Sequence, residues 1–471
     1  MNDTSELLMR IWPKSRLWVA CLLSGSLAGC ALYHAKPLPQ KPDLRAGIVP
    51  LRMDVSRIHL PGLKPHPFDP AKGLDMTDVA ILAVVNNPAL RTARARARAG
   101  EAQAFVAGLL PGPQINYSLD YPTHQAAQYT NAYSAGLAYD LSALLAHGAA
   151  KAAARASAKQ VDLNLLWQEW QVAQQARFLF VACLENSHKL ALLEKLRDNM
   201  QSRYAAERRA YAAGNISLAS LGLDLAALQN VQTLAGSAAT GRNAGCRSLN
   251  EILGLDPGTT LNLVADGDAG IMPSRSVLKQ ALAMLPQRRP DLLALQYGYK
   301  SQDEEVWRAV LAQFPGINFG ITRGQDTSDV HTTGFSVNIG FPFLTGGAAA
   351  VHAASATRSA LWQQYQQRLD AAVSEVQLIR ADLGVLQREL AAARVAAPDA
   401  RQMLVGARAA YARGDLTAAA YYALSIAALN RELGTMDLEA QQQQLRIALE
   451  TLLGLPPQDL QHPVSADEGQ S

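Results

Sequence analysis

The residues of this sequence that are capable of covalent or metal chemistry are few and scattered. The four cysteines lie at positions 21, 30, 183 and 246, and the nine histidines form no cluster at the spacing of zinc ligands. The sequence has no nucleophile motif and no glycine-rich phosphate loop, and the adjoining Glu304 and Glu305 would point apart on a helix. We therefore expect no enzyme activity, no cofactor and no metal site.

Two of the cysteines allow one kind of covalent chemistry, which is a disulfide bond. Cys183 and Cys246 can pair if the fold brings them together. Single cysteines, however, commonly pack in a core as small apolar side chains. Unpaired thiols are the expectation, and a disulfide bond between the two cysteines is the alternative that the sequence leaves open.

Another cysteine, Cys30, follows a secretory signal. Basic residues precede an apolar run over 17–27 that is too short to span a bilayer as a helix. The sequence LAGC then resembles the bacterial lipoprotein signal, in which the cysteine is lipidated and becomes the first residue. This resemblance implies a signal peptide over 1–29 and a lipid anchor on Cys30, since several acyl chains give stable attachment. Ala31, in place of aspartate, implies sorting to the outer membrane.

Composition limits the function of the rest of the chain. The protein has 471 residues, of which 49% are hydrophobic, and its 43 basic and 40 acidic side chains nearly balance. This balance gives no indication of nucleic-acid binding. The proline-rich segment over 30–75 shows neither helical nor strand periodicity and is expected to be an extended tether. A disordered tail is expected over 458–471.

Four short segments alternate apolar and polar residues with the period of a β-strand. Strands are predicted over 113–121, 132–141, 314–323 and 333–343, joined as two hairpins by polar loops. A soluble sandwich would bury the apolar face, whereas a membrane strand would expose it to lipid and turn its polar face to water. We expect these residues to face lipid: Ile115, Tyr117, Leu119, Tyr139, Phe319, Phe335, Val337, Ile339, Phe341 and Phe343.

The chain also contains a long internal repeat. The sequence AYAAGNISLASLGLDLAALQN begins at Ala210, and AYARGDLTAAAYYALSIAALN begins at Ala410, 200 residues further on. Three other pairs of segments keep this spacing within two residues. We therefore expect two modules, over 76–257 and 276–457, each with a helix, two strands and a long helical hairpin. A repeat of this length is too long for a solenoid unit.

The strongest helical pattern is a coiled-coil seam in the second module. Apolar residues from Trp362 to Leu390 are spaced by three and four, over about four heptads. The helical segment runs from about 348 to 411, and at ~1.5 Å per residue it would extend toward ~90 Å. Its counterpart in the first module runs from about 149 to 211. The turns YAAG and YARG follow, and each leads into a return helix.

These elements indicate an assembly of several chains. Four strands cannot close a barrel alone, since about eight are needed, and strand edges cannot remain unpaired in lipid. Several copies must therefore share one barrel, whose polar inner face would line a water channel. The long hairpins would continue from this barrel as a helical tube. Together with the signal peptide and the lipid anchor, this architecture indicates a conduit across the cell envelope.

Over about 76–457 the chain resembles the TolC-like outer-membrane factors, especially the lipoprotein branch typified by OprM. The resemblance rests on the repeat, NPAL and RPDL ahead of the strands, GFPFLTGG after the last strand and the two Tyr-x-x-Gly turns. It implies an α+β membrane protein, a homotrimer with a twelve-stranded outer-membrane barrel above a periplasmic coiled-coil barrel. It also implies a periplasmic adaptor and an inner-membrane pump as partners, and the export of drugs or other small molecules.

In this family the helix turns at the periplasmic tip form the gate and the docking groove of the adaptor. The resemblance implies such roles for the matching residues: Tyr211, Gly214, Ser217, Tyr411, Gly414 and Thr417. Many members also carry an aspartate six residues after each tip glycine, which constricts the tunnel and attracts cations. Ser220 and Ala420 occupy these positions, and neither Asp224 nor Asp415 matches them. We therefore expect a tip that is less cation-selective or that closes by packing.

Two other functions fit the same features. The chain would also suit the outer-membrane duct of a type I protein-secretion system, because the sequence does not distinguish cargo that a pump selects. A non-transporting envelope lipoprotein, which uses its coiled coils only as a brace, explains the lipid signal and the heptads. It does not explain four strands with matching polar faces. Conductance in a planar bilayer distinguishes a duct from a brace.

Overall fold

The structure is a computed structural model, and it describes residues 35–47, 72–123, 129–265, 273–341 and 347–454. The predicted signal peptide, Cys30, Phe343 and the predicted tail lie outside the described residues. The chain divides into two units, 1–44 and 45–471. In the first unit the described residues, 35–44, are irregular and exposed to solvent.

The described part of the second unit contains eight helices and four strands. The helices are α1 Met76–Asn86, α2 Pro88–Ala107, α3 Leu141–Ala212, α4 Leu218–Ile252, α5 Arg275–Arg288, α6 Pro290–Leu311, α7 Gly347–Arg413 and α8 Ala418–Leu453. The strands are β1 Gln114–Asp120, β2 Ala132–Asp140, β3 Gly316–Gln325 and β4 His331–Gly340. The order helix, helix, strand, strand, helix, helix therefore occurs twice along the chain.

Local sequence explains where several helices begin. Asp75 and Asp78 form a capping box at α1, in which each carboxylate accepts a hydrogen bond from the other residue's amide, at 2.8 and 3.2 Å. Pro88 and Pro290 occupy the first turns of α2 and α6, where a helix needs no amide donor. Asp140 caps α3 directly after β2, so the chain passes from strand to helix without a loop.

Two helices are much longer than those of ordinary globular domains. Helix α3 has 72 residues and α7 has 67, which correspond to roughly 110 and 100 Å. Helix α4 packs along α3, and α8 packs along α7, so each pair forms a helical hairpin. Helix α7 continues through Pro398, although proline removes a backbone hydrogen bond. Among the described residues, no helix combines the length and the apolar character needed to cross a bilayer.

The buried side chains form clusters along the hairpins. The first cluster joins α1, α3, α4 and α8 around Phe180, Leu249 and Ile447. The second joins α5, α6, α7 and α8, and it contains most of the predicted seam of α7 from Ala372 onward. Trp362, at the start of that seam, is 52% exposed. The core therefore follows the helix length instead of filling one compact centre.

A disulfide bond joins Cys183 of α3 to Cys246 of α4, with 4.8 Å between the Cα atoms. The expectation of two unpaired cysteines was wrong. The reason is a close approach of the two helices that residue spacing did not reveal. Gly245 lies so near the α3 backbone that an added Cβ would come within 3.2 Å of the Cys183 amide nitrogen. At Gly241 an added Cβ would lie 2.6 Å from the side-chain oxygen of Asn186.

The four strands form one antiparallel sheet in the order β1-β2-β3-β4. Their register aligns residues of like polarity in rows across the sheet. One apolar row crosses all four strands: Ile115, Leu137, Ile321 and Phe335. The next apolar row crosses three strands: Tyr139, Phe319 and Val337. Two rows of the opposite face are small or polar: Asn116, Gly136, Thr322 and Gly334, and then Asp140, Asn318 and Asn338.

The sheet therefore has an apolar face and a polar face. The apolar side chains are not buried in the single chain, since Phe335 is 72% exposed and Ile115 is 82% exposed. Arg323 and Gln325 occupy the last rows of the apolar face on β3, toward the loop that joins β3 to β4. The apolar band thus ends in polar side chains on the loop side.

Candidate functional site

The turns that close the two helical hairpins share one backbone structure. Helices α3 and α7 each end just before a glycine, Gly214 or Gly414, whose φ angles are 72° and 81°. In both turns the amide after the glycine donates to the carbonyl oxygen five residues earlier, at 2.9 Å. An added Cβ would meet no described atom within 4 Å at either glycine. The backbone conformation itself, and not a close contact within the chain, therefore requires glycine here.

The return helices begin at matching N-caps. The Ser217 hydroxyl accepts a hydrogen bond from the Ser220 amide at 3.1 Å, and the Thr417 hydroxyl accepts one from the Ala420 amide at 3.3 Å. Ser220 and Ala420 thus contribute backbone donors to their turns. Asp415 forms an exposed ion pair with Arg413 at 2.8 Å. Within a single chain, the acidic side chain of Asp415 at the second tip is therefore paired with the nearby Arg413.

The two tip tyrosines have different surroundings. Tyr411 stacks on Tyr421 of α8, with 5.0 Å between ring centroids and 17° between ring planes. Tyr421 in turn contacts Tyr422 edge to face, at 5.5 Å. Tyr211, the counterpart on the first hairpin, is 41% exposed. The second tip therefore carries an aromatic cluster that the first tip lacks among its described contacts.

This aromatic cluster surrounds Arg203, which belongs to the first hairpin. The guanidinium carbon of Arg203 lies 4.9 Å from the Tyr411 ring centroid, 5.2 Å from that of Tyr421 and 5.0 Å from that of Tyr422. All three distances are in the range of cation–π attraction. Because Arg203 is on α3 and the tyrosines are on α7 and α8, the cluster joins the two hairpins near their tips.

Asp224 of α4 completes the cluster. Its Oδ1 atom lies 3.3 Å from Nε of Arg203, and its side chain is 3% exposed. Burial raises the pKa of Asp224; the charge of Arg203 opposes this rise, and that of Glu207 adds to it. Asp224 Oδ2 and the Tyr422 hydroxyl are buried without a hydrogen-bond partner in the described part of the chain. Buried polar atoms without hydrogen-bond partners destabilise a cluster. The two sides of this cluster therefore separate more readily than those of a network in which every polar atom is hydrogen-bonded.

Above the tips, two more ionic contacts join the hairpins. Lys189 of α3 contacts Asp437 of α8 and pairs with Glu185 on its own helix at 2.5 Å. Further along α3, Arg177 pairs with Glu450 near the end of α8, where both side chains are at least nine-tenths buried. The contact with Glu450 is therefore much better shielded from water than the contact with Asp437, which is half exposed.

The upper end of α8 is anchored by one buried arginine. Arg289 forms two hydrogen bonds with Asp291, at 2.9 and 2.6 Å, and donates to the Leu452 carbonyl at 3.2 Å. Its guanidinium also lies 4.9 Å from the Trp167 ring centroid on α3. Arg368 of α7 makes a second ion pair with Asp291, at 2.7 Å. This network fixes the hairpins together far from the tips.

The tip cluster consists of five residues: Arg203, Asp224, Tyr411, Tyr421 and Tyr422. Sequence reasoning assigned a role to Tyr411 and none to the other four. A usable signal was present in the repeat. At the repeat spacing of 200 residues, these four positions correspond to residues of another type in the other half of the sequence: Met403, Leu424, Leu221 and Gly222. A charged or aromatic residue in one half, set against an aliphatic residue or glycine in the other, marks the positions where the halves differ.

Comparison with a protein-family model identifies part of the chain. Residues 281–455 match the family described as outer membrane efflux protein. This segment is an outer membrane efflux protein domain. It contains α6, β3, β4, α7 and α8, and thus the aromatic side of the tip cluster. No curated protein sequence matches the chain.

Solved channels extend the likeness of the outer membrane efflux protein domain to nearly the whole chain. The Campylobacter jejuni CmeC outer membrane channel has a TM-score of 0.70 and 14% identity, over 90% of this chain and 95% of that chain. CusC has a TM-score of 0.69 and 18% identity, over 89% and 99%. The open state of the Neisseria gonorrhoeae MtrE outer membrane channel has a TM-score of 0.65 and 17% identity, over 81% and 89%. The fold is thus that of TolC-like channels, rich in helix with a small sheet.

Proposed function

We propose that this chain is the subunit of an outer-membrane efflux channel, which exports drugs or other small molecules. The observation that carries this proposal is the sheet with one apolar and one polar face, attached to two helical hairpins. A buried sandwich needs a second layer over the apolar face. Among the described residues, large apolar side chains on this face remain exposed instead. Lipid supplies the missing cover.

The number of strands requires more than one copy of the chain. In the described structure β1 pairs only with β2 and β4 only with β3, so both outer edges of the sheet lack partners. Unpaired edges are not tolerated in the hydrocarbon region. We propose that β4 of one copy pairs with β1 of the next and that three copies close a twelve-stranded barrel. Its polar face then lines the pore, and the hairpins form a periplasmic tunnel.

The tip cluster is the proposed gate. When Arg203 lies between the three tyrosines, the first hairpin is held against the second and the tunnel is narrow. Withdrawal of Arg203 and Asp224 from the aromatic side would let the tips spread, while the buried Arg177–Glu450 pair and the contacts of Arg289 with Trp167 and Leu452 keep the upper hairpins together. Closure by aromatic packing replaces a carboxylate ring, because Ser220 and Ala420 carry no charge.

The partners and the anchor complete the proposal. An adaptor would dock on the exposed tip turns at Gly214, Ser217, Gly414 and Thr417, and it would connect the channel to an inner-membrane pump. A lipid on Cys30 would hold each subunit in the outer membrane. The disulfide bond supports an extracytoplasmic location, since such bonds persist in oxidising compartments.

The function is tested with the purified protein in planar bilayers and in cells that lack its gene. Trimers that conduct ions, together with loss of drug resistance in the deletion strain, are the expected results. Monomers without conductance would leave only a bracing role and overturn the proposal. Conducting trimers whose deletion abolishes secretion of a protein, with drug resistance intact, would assign the chain to protein secretion instead.

A further inference from the structure

We propose that Cys183 and Cys246 are a substrate site for a disulfide-bearing thiol oxidase of the periplasm, which acts on this chain before α3 and α4 pack together. The inference rests on the proposed function only for the location of the chain outside the cytoplasm. The partner is defined by its chemistry, as a protein that gives its own disulfide to a pair of thiols.

Burial sets the order of the two events. Cys183 is 3% exposed and belongs to the first core cluster, beside Phe180 and Leu249. Cys246 packs against the same cluster. A protein oxidant must bring its sulfur into contact with the thiol that attacks it, and the folded helices leave no such access to Cys183. Oxidation therefore comes first, and the hairpin closes over the bond.

The exchange balances without another reactant. The thiolate of Cys183, which is accessible only before the helices pack, attacks one sulfur of the oxidase disulfide; that bond breaks, a mixed disulfide forms and the other oxidase sulfur is released as a thiolate. The Cys246 thiolate then attacks the Cys183 sulfur, so that the new bond forms and the remaining oxidase sulfur leaves as a thiolate. The chain has lost two electrons and two protons, and the oxidase has gained both as two thiols.

The cysteine content of the chain makes this oxidation unambiguous. Of the four cysteines, Cys21 lies within the predicted signal peptide and Cys30 is the proposed lipid attachment site. The mature chain then has one pair of free thiols and one possible intramolecular pairing. No wrong disulfide has to be rearranged, so an oxidase alone is sufficient and an isomerase is not needed.

The close helix contact makes the bond useful to this fold. Gly241 and Gly245 allow α4 to approach α3 where larger residues would collide with Asn186 and Cys183. The bond lies on α3 between Arg177 and Lys189, two of the residues that contact the second hairpin. It therefore fixes α3 and α4 as one unit at this level, and movement between them is left to the part nearer the tip.

Peptide mapping tests the proposal directly. Trypsin releases Cys183 in FLFVACLENSHK, 178–189, and Cys246 in NAGCR, 243–247. Outer-membrane protein, denatured in the presence of a thiol-blocking maleimide, should yield these two peptides as one linked species. In a host without periplasmic thiol oxidase, the linked species should be lost and both peptides should carry the maleimide. Linked peptides at equal yield in both hosts would overturn the role of the oxidase.

A variant without the two cysteines distinguishes the effect of the disulfide bond from general effects of the oxidase-deficient host. The amount of wild-type trimer should fall in the oxidase-deficient host, whereas the amount of a Cys183→Ala/Cys246→Ala trimer should be the same in both hosts. An equal fall for both proteins would contradict the proposal. If wild-type protein reaches the outer membrane with both thiols free, this inference fails while the channel function stands. Protein retained in the cytoplasm would instead contradict the proposed function.

Discussion

Arg203 is the single residue on which the two sides of the tip cluster depend. It contacts three aromatic rings of the second hairpin and the buried Asp224 of its own hairpin. Each cation–π contact contributes about 0.5–2 kcal/mol, depending on its exposure. We predict that Arg203→Gln raises the open probability of the purified channel in single-channel recordings, because the aromatic side loses its cation.

A matched control for this substitution lies one turn and a half earlier on α3. Arg197 pairs with the adjacent Asp198, and their side chains are 35% and 66% exposed. Exposed pairs of this kind contribute about 0–1 kcal/mol. Arg197→Gln should therefore leave the open probability unchanged. Equal opening by both variants would show that net charge on α3, and not the aromatic cluster, controls the tip.

Asp224 gives the same cluster a dependence on pH. Burial raises its pKa above the ordinary 3.8, Arg203 opposes the rise and Glu207 adds to it. Since the pKa is raised in the folded cluster, the packed form is most stable below pH 3.8 and loses stability as the pH rises through the folded value. We predict that the open probability increases over this range and that Asp224→Asn removes the increase. A pH titration of single-channel opening with both proteins measures it, and an unchanged profile in the variant would refute the assignment.

At the level of helices, Arg289 connects the start of α6 with the end of α8 and with Trp167 of α3. It is fully buried, and Asp291 is its bidentate partner. Removal of one member of a buried ion pair costs about 3–5 kcal/mol, because the other charge remains buried. We predict that Arg289→Ala lowers the thermal stability of the detergent-solubilised protein strongly. Arg394→Ala, which breaks an exposed pair with Glu439, should cost about 0–1 kcal/mol.

The same network predicts how acid acts on the upper hairpins. Burial of Asp291 opposes its ionisation, but hydrogen bonds and charges from Arg289 and Arg368 lower its pKa overall. Because the folded pKa lies below the ordinary 3.8, Asp291 stabilises the fold above pH 3.8 and this contribution is lost as the pH falls through the folded value. Acid therefore has opposite effects on the two ends, since it favours the packed tip cluster and weakens the upper network.

The elements that sequence reasoning found are those with a strong period. Alternation over 333–343 placed β4, and the spacing of Leu383, Leu386 and Leu390 placed the buried side of α7, because these signals lie within one element. The disulfide bond and the Arg203 cluster were missed for one physical reason. Each depends on which residues of two different helices come into contact. The periodicity of apolar residues within one helix does not indicate how that helix is rotated relative to a partner helix.

At the scale of the assembled molecule, the two outer edges of the sheet indicate most clearly how copies of the chain associate. One chain ends with β1 on one side and β4 on the other, and both edges present backbone groups that need partners. The apolar face continues to both edges, at Ile115 on β1 and Phe335 on β4. Addition of another copy therefore extends both the hydrogen-bond ladder and the apolar surface, as a closed barrel in lipid requires.

The orientation of this barrel is tested by two neighbouring residues of β4. Ile339 lies opposite Ile317 on the apolar face, and Asn338 lies opposite Asn318 on the polar face. Arginine on a lipid-facing strand costs about 2–4 kcal/mol at the middle of the bilayer, and less near the interfaces. We predict that Ile339→Arg reduces the yield of folded trimer, measured by its resistance to unfolding in unheated detergent gels.

Asn338→Arg serves as the matched substitution, because it introduces the same side chain one position away. It should assemble in normal amounts and change the conductance and ion selectivity of the pore, since the added cation would lie in water. Equal losses of assembly in both variants would show that neither face is solvated. Normal assembly of Ile339→Arg combined with failure of Asn338→Arg would place the polar face outward, and the barrel would then have to be rebuilt around a dry interior.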